Sequence, residues 1–121
     1  MMFQSPDPTE AYRKIEFDAR IEGSNGIGLT RLCLERALTE LDRAQSAYAR
    51  GNRQAWGTAL TRAASGITAL SAGVDSANPL REPLVHLYDS AALAVRAAVT
   101  NYRQDVMDRV RRDLEDILAI L

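Results

Sequence analysis

The sequence predicts an all-α fold: an antiparallel four-helix bundle with a short additional N-terminal helix. Three observations lead there. Apolar residues recur at spacings of three and four along the long segments, which lays a stripe down one side of each helix. Glycine, asparagine and proline punctuate the chain between those segments. No segment alternates apolar with polar residues over a useful length, so no strand is expected.

The first element opens at "DPTE", Asp7 to Glu10, with a capping aspartate, a proline at the first helical position and a glutamate at the third. A short helix through about Ile21 is expected. "EGSNGIG", Glu22 to Gly28, has three glycines in seven residues and reads as a flexible break. The next helix runs from about Leu29 to Arg50, where Gly51 supplies a C-terminal cap. Asn52 then starts a third helix after a very tight turn, ending near Ala72 or Gly73. "GVDSANP" forms a loop in which Asn78 caps the following helix and Pro79 takes its first position. That helix is expected to reach about Tyr102, and the last covers about Gln104 to Ile120. The whole reads as one domain: residues 1–26 an N-terminal helix and Gly-rich link, residues 27–121 the bundle.

The stripes differ in width. Trp56, Leu60, Ala63, Ile67, Leu70 and Val74 make a narrow one, as do Val106, Val110, Leu114, Ile117 and Leu121. Both read as outer helices with a single buried face, and Trp56 as largely buried. Leu29 to Tyr48 presents a broader arc that includes Cys33, Leu34, Leu38 and Leu41. Leu84 to Tyr102 does the same with Leu87, Tyr88, Ala92 and Val95, covering about half the cylinder at ~100° per residue. Such width fits either a central helix contacted on two sides or a face left open for a partner.

Composition removes several functions. With 46% hydrophobic and 26% charged residues the chain is ordinary for a globular protein. Its 15 basic and 16 acidic residues leave a net charge of -1, which gives no general attraction to nucleic acid or anionic lipid. The N-terminus lacks the basic and apolar regions of a secretory signal, and no run approaches the ~18 apolar residues of a membrane span. Cys33, the only cysteine, reads as a small buried apolar group.

The only histidine, His86, stands in "LVHLYDS" with Asp89 and Ser90 close behind. Helical winding puts all three on the polar side, with Arg96, so His86 is expected at the surface. Nucleophilic catalysis needs a base, an orienting acid and oxyanion donors converging on a cleft, which one helix cannot supply. With a single histidine and a single cysteine, no metal site is expected, and no cofactor. Acidic residues in "DVMDRVRRDLED" interleave with arginines as on a solvated face. "GSNGIG" lacks the strand and lysine of a phosphate-binding loop. Histidine phosphotransfer domains follow their histidine with a lysine and a glycine at the positions where Asp89 and Ser90 stand here. An aspartate there repels a phosphoryl group.

From about Ala11 to the C-terminus the chain resembles FliS, the flagellin-specific chaperone family of the bacterial flagellar export system. The family's early "AY" matches Ala11-Tyr12. Its "LYD-x-A-x-x-x-L-x-x-A" stands as "CLERALTELDRA", Cys33 to Ala44, with Leu34 for the tyrosine and Glu35 for the aspartate. Its "I-x-x-L" fits Ile67 to Leu70. "L-x-x-LYD" is intact as Leu84, Leu87, Tyr88 and Asp89, and the spaced asparagine and aspartate are Asn101 and Asp105. Two departures stand out: a longer, glycine-richer segment between Tyr12 and Leu34, and an end at Leu121 without the aromatic-bearing tail of many members.

The resemblance implies a non-enzymatic protein of the bacterial cytosol. It would bind the disordered C-terminal segment of flagellin, hold it unpolymerised until export, and serve as monomer or homodimer with the flagellar export apparatus as a further partner. Neither nucleic acid binding nor membrane insertion is implied. An apolar segment that folds into helices along grooves buries large area while losing chain entropy. The residues expected to bind it are Leu29 and Leu32 at the entry to the second helix, with Leu84, Leu87, Tyr88, Ala92 and Val95 along the fourth. Tyr12 and Ile15, in the N-terminal segment, are expected to cover the same surface. A related export chaperone with another client, or a helical dimerisation or scaffold module, are the alternative readings.

Overall fold

The computed structural model describes residues 26–121, and all regular structure among them is helical. Four helices follow one another: α1 (Gly26–Ala49), α2 (Arg53–Ala72), α3 (Arg81–Ala97) and α4 (Gln104–Ala119). The chain divides into two compact units, Met1–Leu32 and Cys33–Leu121. Of the first, only the opening turns of α1 are described; the expected helix from Asp7 to Ile21 lies outside the described residues. The four-helix bundle belongs to the second unit.

The turn between α1 and α2 is as tight as its sequence demands. Gly51 has φ of 70°, the left-handed value that a side chain opposes. Its N–H donates to the Tyr48 carbonyl at 2.9 Å, and Asn52 N–H to the Ala47 carbonyl at 2.9 Å. This pair of bonds is a Schellman closure. Asn52 then turns its side chain forward, accepting from Ala55 N–H at 3.0 Å to cap α2. One dipeptide ends one helix and begins the next.

Three expected boundaries move. α1 starts at Gly26, three residues before Leu29. Glycine costs a helix only about 1 kcal/mol relative to alanine, and the Thr30 hydroxyl donates back to the Gly26 carbonyl at 2.9 Å. α3 starts at Arg81 rather than Pro79. Asn78 does accept from Leu80 N–H at 2.8 Å, but Arg81 N–H closes a three-residue turn on the Asn78 carbonyl at 3.0 Å before regular helix begins. The largest difference is at the other end, where α3 stops at Ala97 instead of Tyr102. Val99 N–H bonds the Arg96 carbonyl at 3.2 Å and Thr100 N–H the Ala97 carbonyl at 3.3 Å, both tighter than α-helical. Both residues are β-branched and favour helix weakly.

Polar and aromatic contacts show each helix running antiparallel to its neighbours. Ser71 pairs with Asp89 and Thr68 with Arg96 across α2 and α3. Arg111 of α4 forms an ion pair with Asp42 of α1, and Tyr102, in the turn just before α4, meets Tyr48 near the end of α1. α2 and α3 bring their Cα atoms within 8 Å of each other. Alanines permit that approach: Ala59, Ala63 and Ala64 are buried on α2, Ala91 and Ala92 on α3. Leu34, Leu60, Ile67, Val95 and Leu114 form the fully enclosed centre, with every helix represented.

The α2 face is wider than expected and the buried part of α3 narrower. α2, expected to bury one narrow stripe, buries eight residues, whereas α3, whose broad arc fitted either a central helix or a face open to a partner, buries only Tyr88, Ala91, Ala92 and Val95. Ala59, Ala64 and Ser71 widen the α2 face, and their small side chains carry little hydropathic signal. Val74, placed on that stripe, lies past the end of α2 and is half-buried. Trp56 is buried as expected, and so is Cys33.

Candidate functional site

The face of α3 changes character along its length. Leu80, Leu84, Leu87 and Ala91 follow one another at helical spacing on one stripe. Leu80 is 56% exposed, Leu84, Val85 and Leu87 are half-buried, and from Tyr88 onward the stripe sinks into the core. Leu80 precedes the first regular turn, so the apolar row begins on the loop and descends into the bundle. Uncovered leucines in register with a core stripe present a ready track for an apolar partner helix.

Tyr88 and Asp89 anchor the buried end. Burial pushes the Tyr88 phenol above the ordinary tyrosine range, and the nearby Cys33 thiol adds to the rise. Asp89 accepts a 2.6 Å hydrogen bond from the hydroxyl of Ser71, which is itself buried. Arg96, two turns on, donates to the Thr68 hydroxyl at 2.7 Å. Asp89 and Arg96 therefore pin α3 to α2 along the rim, a structural duty that the winding argument did not find. His86, by contrast, is exposed, as expected.

The far end of the bundle is closed by rings. Tyr48 stacks on Tyr102 with centroids 4.0 Å apart and meets the edge of Trp56 at 5.0 Å. The Trp56 indole N–H donates to the Val99 carbonyl at 3.3 Å, and the Arg53 guanidinium lies over its ring. Burial raises the Tyr102 phenol, with the Asp108 carboxylate and Tyr48 adding to the rise and Arg111 opposing it.

Of the residues expected to bind a partner, Leu84 and Leu87 are half-exposed. On α1, Leu29 is half-buried and Leu32 is 36% exposed. Tyr88, Ala92 and Val95 are enclosed by the chain, so a client reaching them has to displace what covers them. Tyr12 and Ile15 lie outside the described residues. Sequence reasoning passed over Leu80 and Leu93, the latter 70% exposed. Leu93 sits on the same polar side as His86, and an isolated leucine among polar neighbours was the available signal.

Among the described residues no His, Cys, Asp and Glu side chains gather in a group able to hold a metal ion, and no helix is long and apolar enough to cross a membrane. No curated protein and no solved structure matches the chain significantly. A family model described as flagellar protein FliS matches residues 8–120, nearly the whole chain. The chain belongs to the FliS family, whose members are non-enzymatic flagellar chaperones.

Proposed function

We propose that the protein is an export chaperone of the bacterial cytosol that binds the disordered C-terminal region of flagellin. It keeps that region from polymerising until it reaches the flagellar export apparatus. The observation that carries this reading is the leucine track of α3, exposed at Leu80, half-covered at Leu84 and Leu87, and continuous with the core. A client segment folding as a helix along it extends the bundle with apolar contacts that it lacks in solution. The area removed from water offsets the entropy that the client loses on ordering. Family membership supplies the flagellar context.

Leu84 and Leu87 are the proposed contact residues of the second unit; in the first unit, Leu29 and Leu32 are proposed in their own right. Tyr88, Ala92 and Val95 form the floor beneath the α3 track and join the contact where the client displaces their cover. Affinity purification from the parent cell followed by mass spectrometry tests the reading. It predicts recovery of flagellin. Recovery of a client with no flagellar role would overturn it.

A further inference from the structure

Between Asp42 and Asp75 the chain contains no acidic residue, while Arg43, Arg50, Arg53 and Arg62 all fall in that stretch. In a protein whose 15 basic and 16 acidic residues otherwise intermingle, this is a segregation of charge. The fold converts it into a surface. The stretch comprises the last turns of α1 and all of α2, and Arg53, Gln54, Thr58, Thr61, Arg62 and Ser65 form the exposed side of α2. None of these side chains carries a negative charge, and each offers a hydrogen-bond donor.

Two open clefts flank this ridge. In one, of about 550 Å³, Arg43 and Ser46 of α1 and Arg50 just past its end share the walls with Gln54, Thr58 and Arg62 of α2. The other, of about 610 Å³, lies between the ridge and the Val99–Thr100 turn. Gln54, Thr58 and Arg62 line both. The one acid at the first cleft, Glu40, has a side chain only 13% exposed; one of its carboxylate oxygens accepts from Arg43 at 2.9 Å and the other is buried without a partner. Arg50 donates to the neutral Ser46 hydroxyl at 3.2 Å. Among the described residues neither Arg50 nor Arg62 takes part in an ion pair. Two guanidinium groups thus face one cleft without a carboxylate of their own.

We propose that the α1–α2 face is a docking surface for an acidic polypeptide segment of a partner. Its carboxylates would pair with Arg50 and Arg62, and its remaining polar groups with Gln54 and Thr58. Guanidinium is suited to this because its planar fork matches a carboxylate with two parallel hydrogen bonds. Arg43 and Arg50 are separated by two helical turns, about 10 Å along α1, so an acidic segment lying along the cleft meets charge over its length. A peptide fits better than a nucleic acid. No aromatic side chain lines either cleft to stack a base. The surface is separate from the leucine track, whose residues line neither cleft.

Fluorescence anisotropy with a labelled peptide of alternating glutamate and alanine tests this on the full chain. The double variant Arg50→Glu/Arg62→Glu is compared with Arg109→Glu/Arg112→Glu, which changes net charge equally on α4. A charge-matched single-stranded DNA serves as the second probe. The proposal predicts that the parent binds the peptide more tightly than the DNA, and that affinity falls from ~0.05 M to ~0.3 M salt. It also predicts a loss of about tenfold or more in the α1–α2 variant, with the α4 variant little changed. Absence of peptide binding by the parent, equal loss in both variants, or tighter binding of the DNA would overturn it. Arg50→Gln/Arg62→Gln gives the same reading if charge reversal disturbs folding, which circular dichroism checks.

Discussion

Replacing Trp56 with alanine is expected to destabilise the bundle by about 3–5 kcal/mol, the usual cost of truncating a buried aromatic side chain. The structure supplies the parts of that figure. The indole is 8% exposed, contacts Tyr48 at 5.0 Å and Tyr102 at 6.2 Å, and donates to the Val99 carbonyl at 3.3 Å. Each ring pair contributes about 0.5–1.5 kcal/mol beyond its buried area. Leaving the carbonyl without its donor costs about 1–3 kcal/mol. Trp56→Phe helps to separate the two effects, because it removes the N–H while keeping an aromatic ring and most of the apolar volume. Its loss should be about 1–3 kcal/mol, clearly less than that of the alanine variant. A domain of this size has a total stability on the order of 6–18 kcal/mol, so the change is measurable. Urea unfolding followed by far-ultraviolet circular dichroism is the assay, since the substitution removes the only tryptophan. An alanine variant within about 1 kcal/mol of the parent, or a phenylalanine variant as damaged as it, would refute the reasoning.

Two glycines are expected to respond in opposite directions. Gly57→Ala, inside α2, meets nothing closer than the Val99 side chain at 3.8 Å, and should stabilise by about 0.5–1 kcal/mol in thermal melts. Gly51→Ala forces a side chain into φ of 70° and should destabilise by about 1–2 kcal/mol; equal signs for the two would contradict the helix-end assignment. His86→Ala should leave stability within about 0.5 kcal/mol of the parent, because the residue is exposed. A loss above about 1 kcal/mol, or phosphorylation of His86 by a sensor kinase, would show that its surface role is misjudged. Burial raises the phenols of Tyr88 and Tyr102, so the folded chain holds those protons after the unfolded chain has released them. Their contribution is complete below pH ~10 and declines as pH rises further; a denaturation midpoint that climbs between pH ~9 and ~11 would be inconsistent with it.

The fold was legible wherever a residue type has one backbone use. Gly51 and Asn52 encode the end of α1 and the cap of α2, and both do what their chemistry requires. Trp56 and Leu60 mark the core because large apolar side chains in a repeating stripe have nowhere else to go. Alanine defeated the same reasoning. Ala59 and Ala64 are buried because α3 comes close, and closeness is a property of the pair of helices that neither sequence segment displays. The early end of α3 was hidden for a similar reason. Val99 and Tyr102 continue the apolar arc in sequence, yet they serve the Trp56–Tyr48 cluster from a non-helical turn. Of the candidate site, Leu84 and Leu87 were readable from spacing. How deeply Tyr88, Ala92 and Val95 are covered depends on the neighbouring helices, which periodicity does not reveal.

The leucine track of α3 is the central feature of the proposed function, and calorimetric titration with a peptide of the flagellin C-terminus tests it most directly. The parent chain should bind and release heat that saturates at a defined stoichiometry. Leu84→Asp/Leu87→Asp should weaken binding by at least about tenfold, because a docked apolar helix leaves the introduced carboxylates desolvated and unpaired. A melting curve recorded beside each titration establishes that the variant remains folded, as the half-exposure of both positions leads us to expect. A parent chain that binds no flagellin peptide, or a folded variant that binds it at full strength, would contradict the claim.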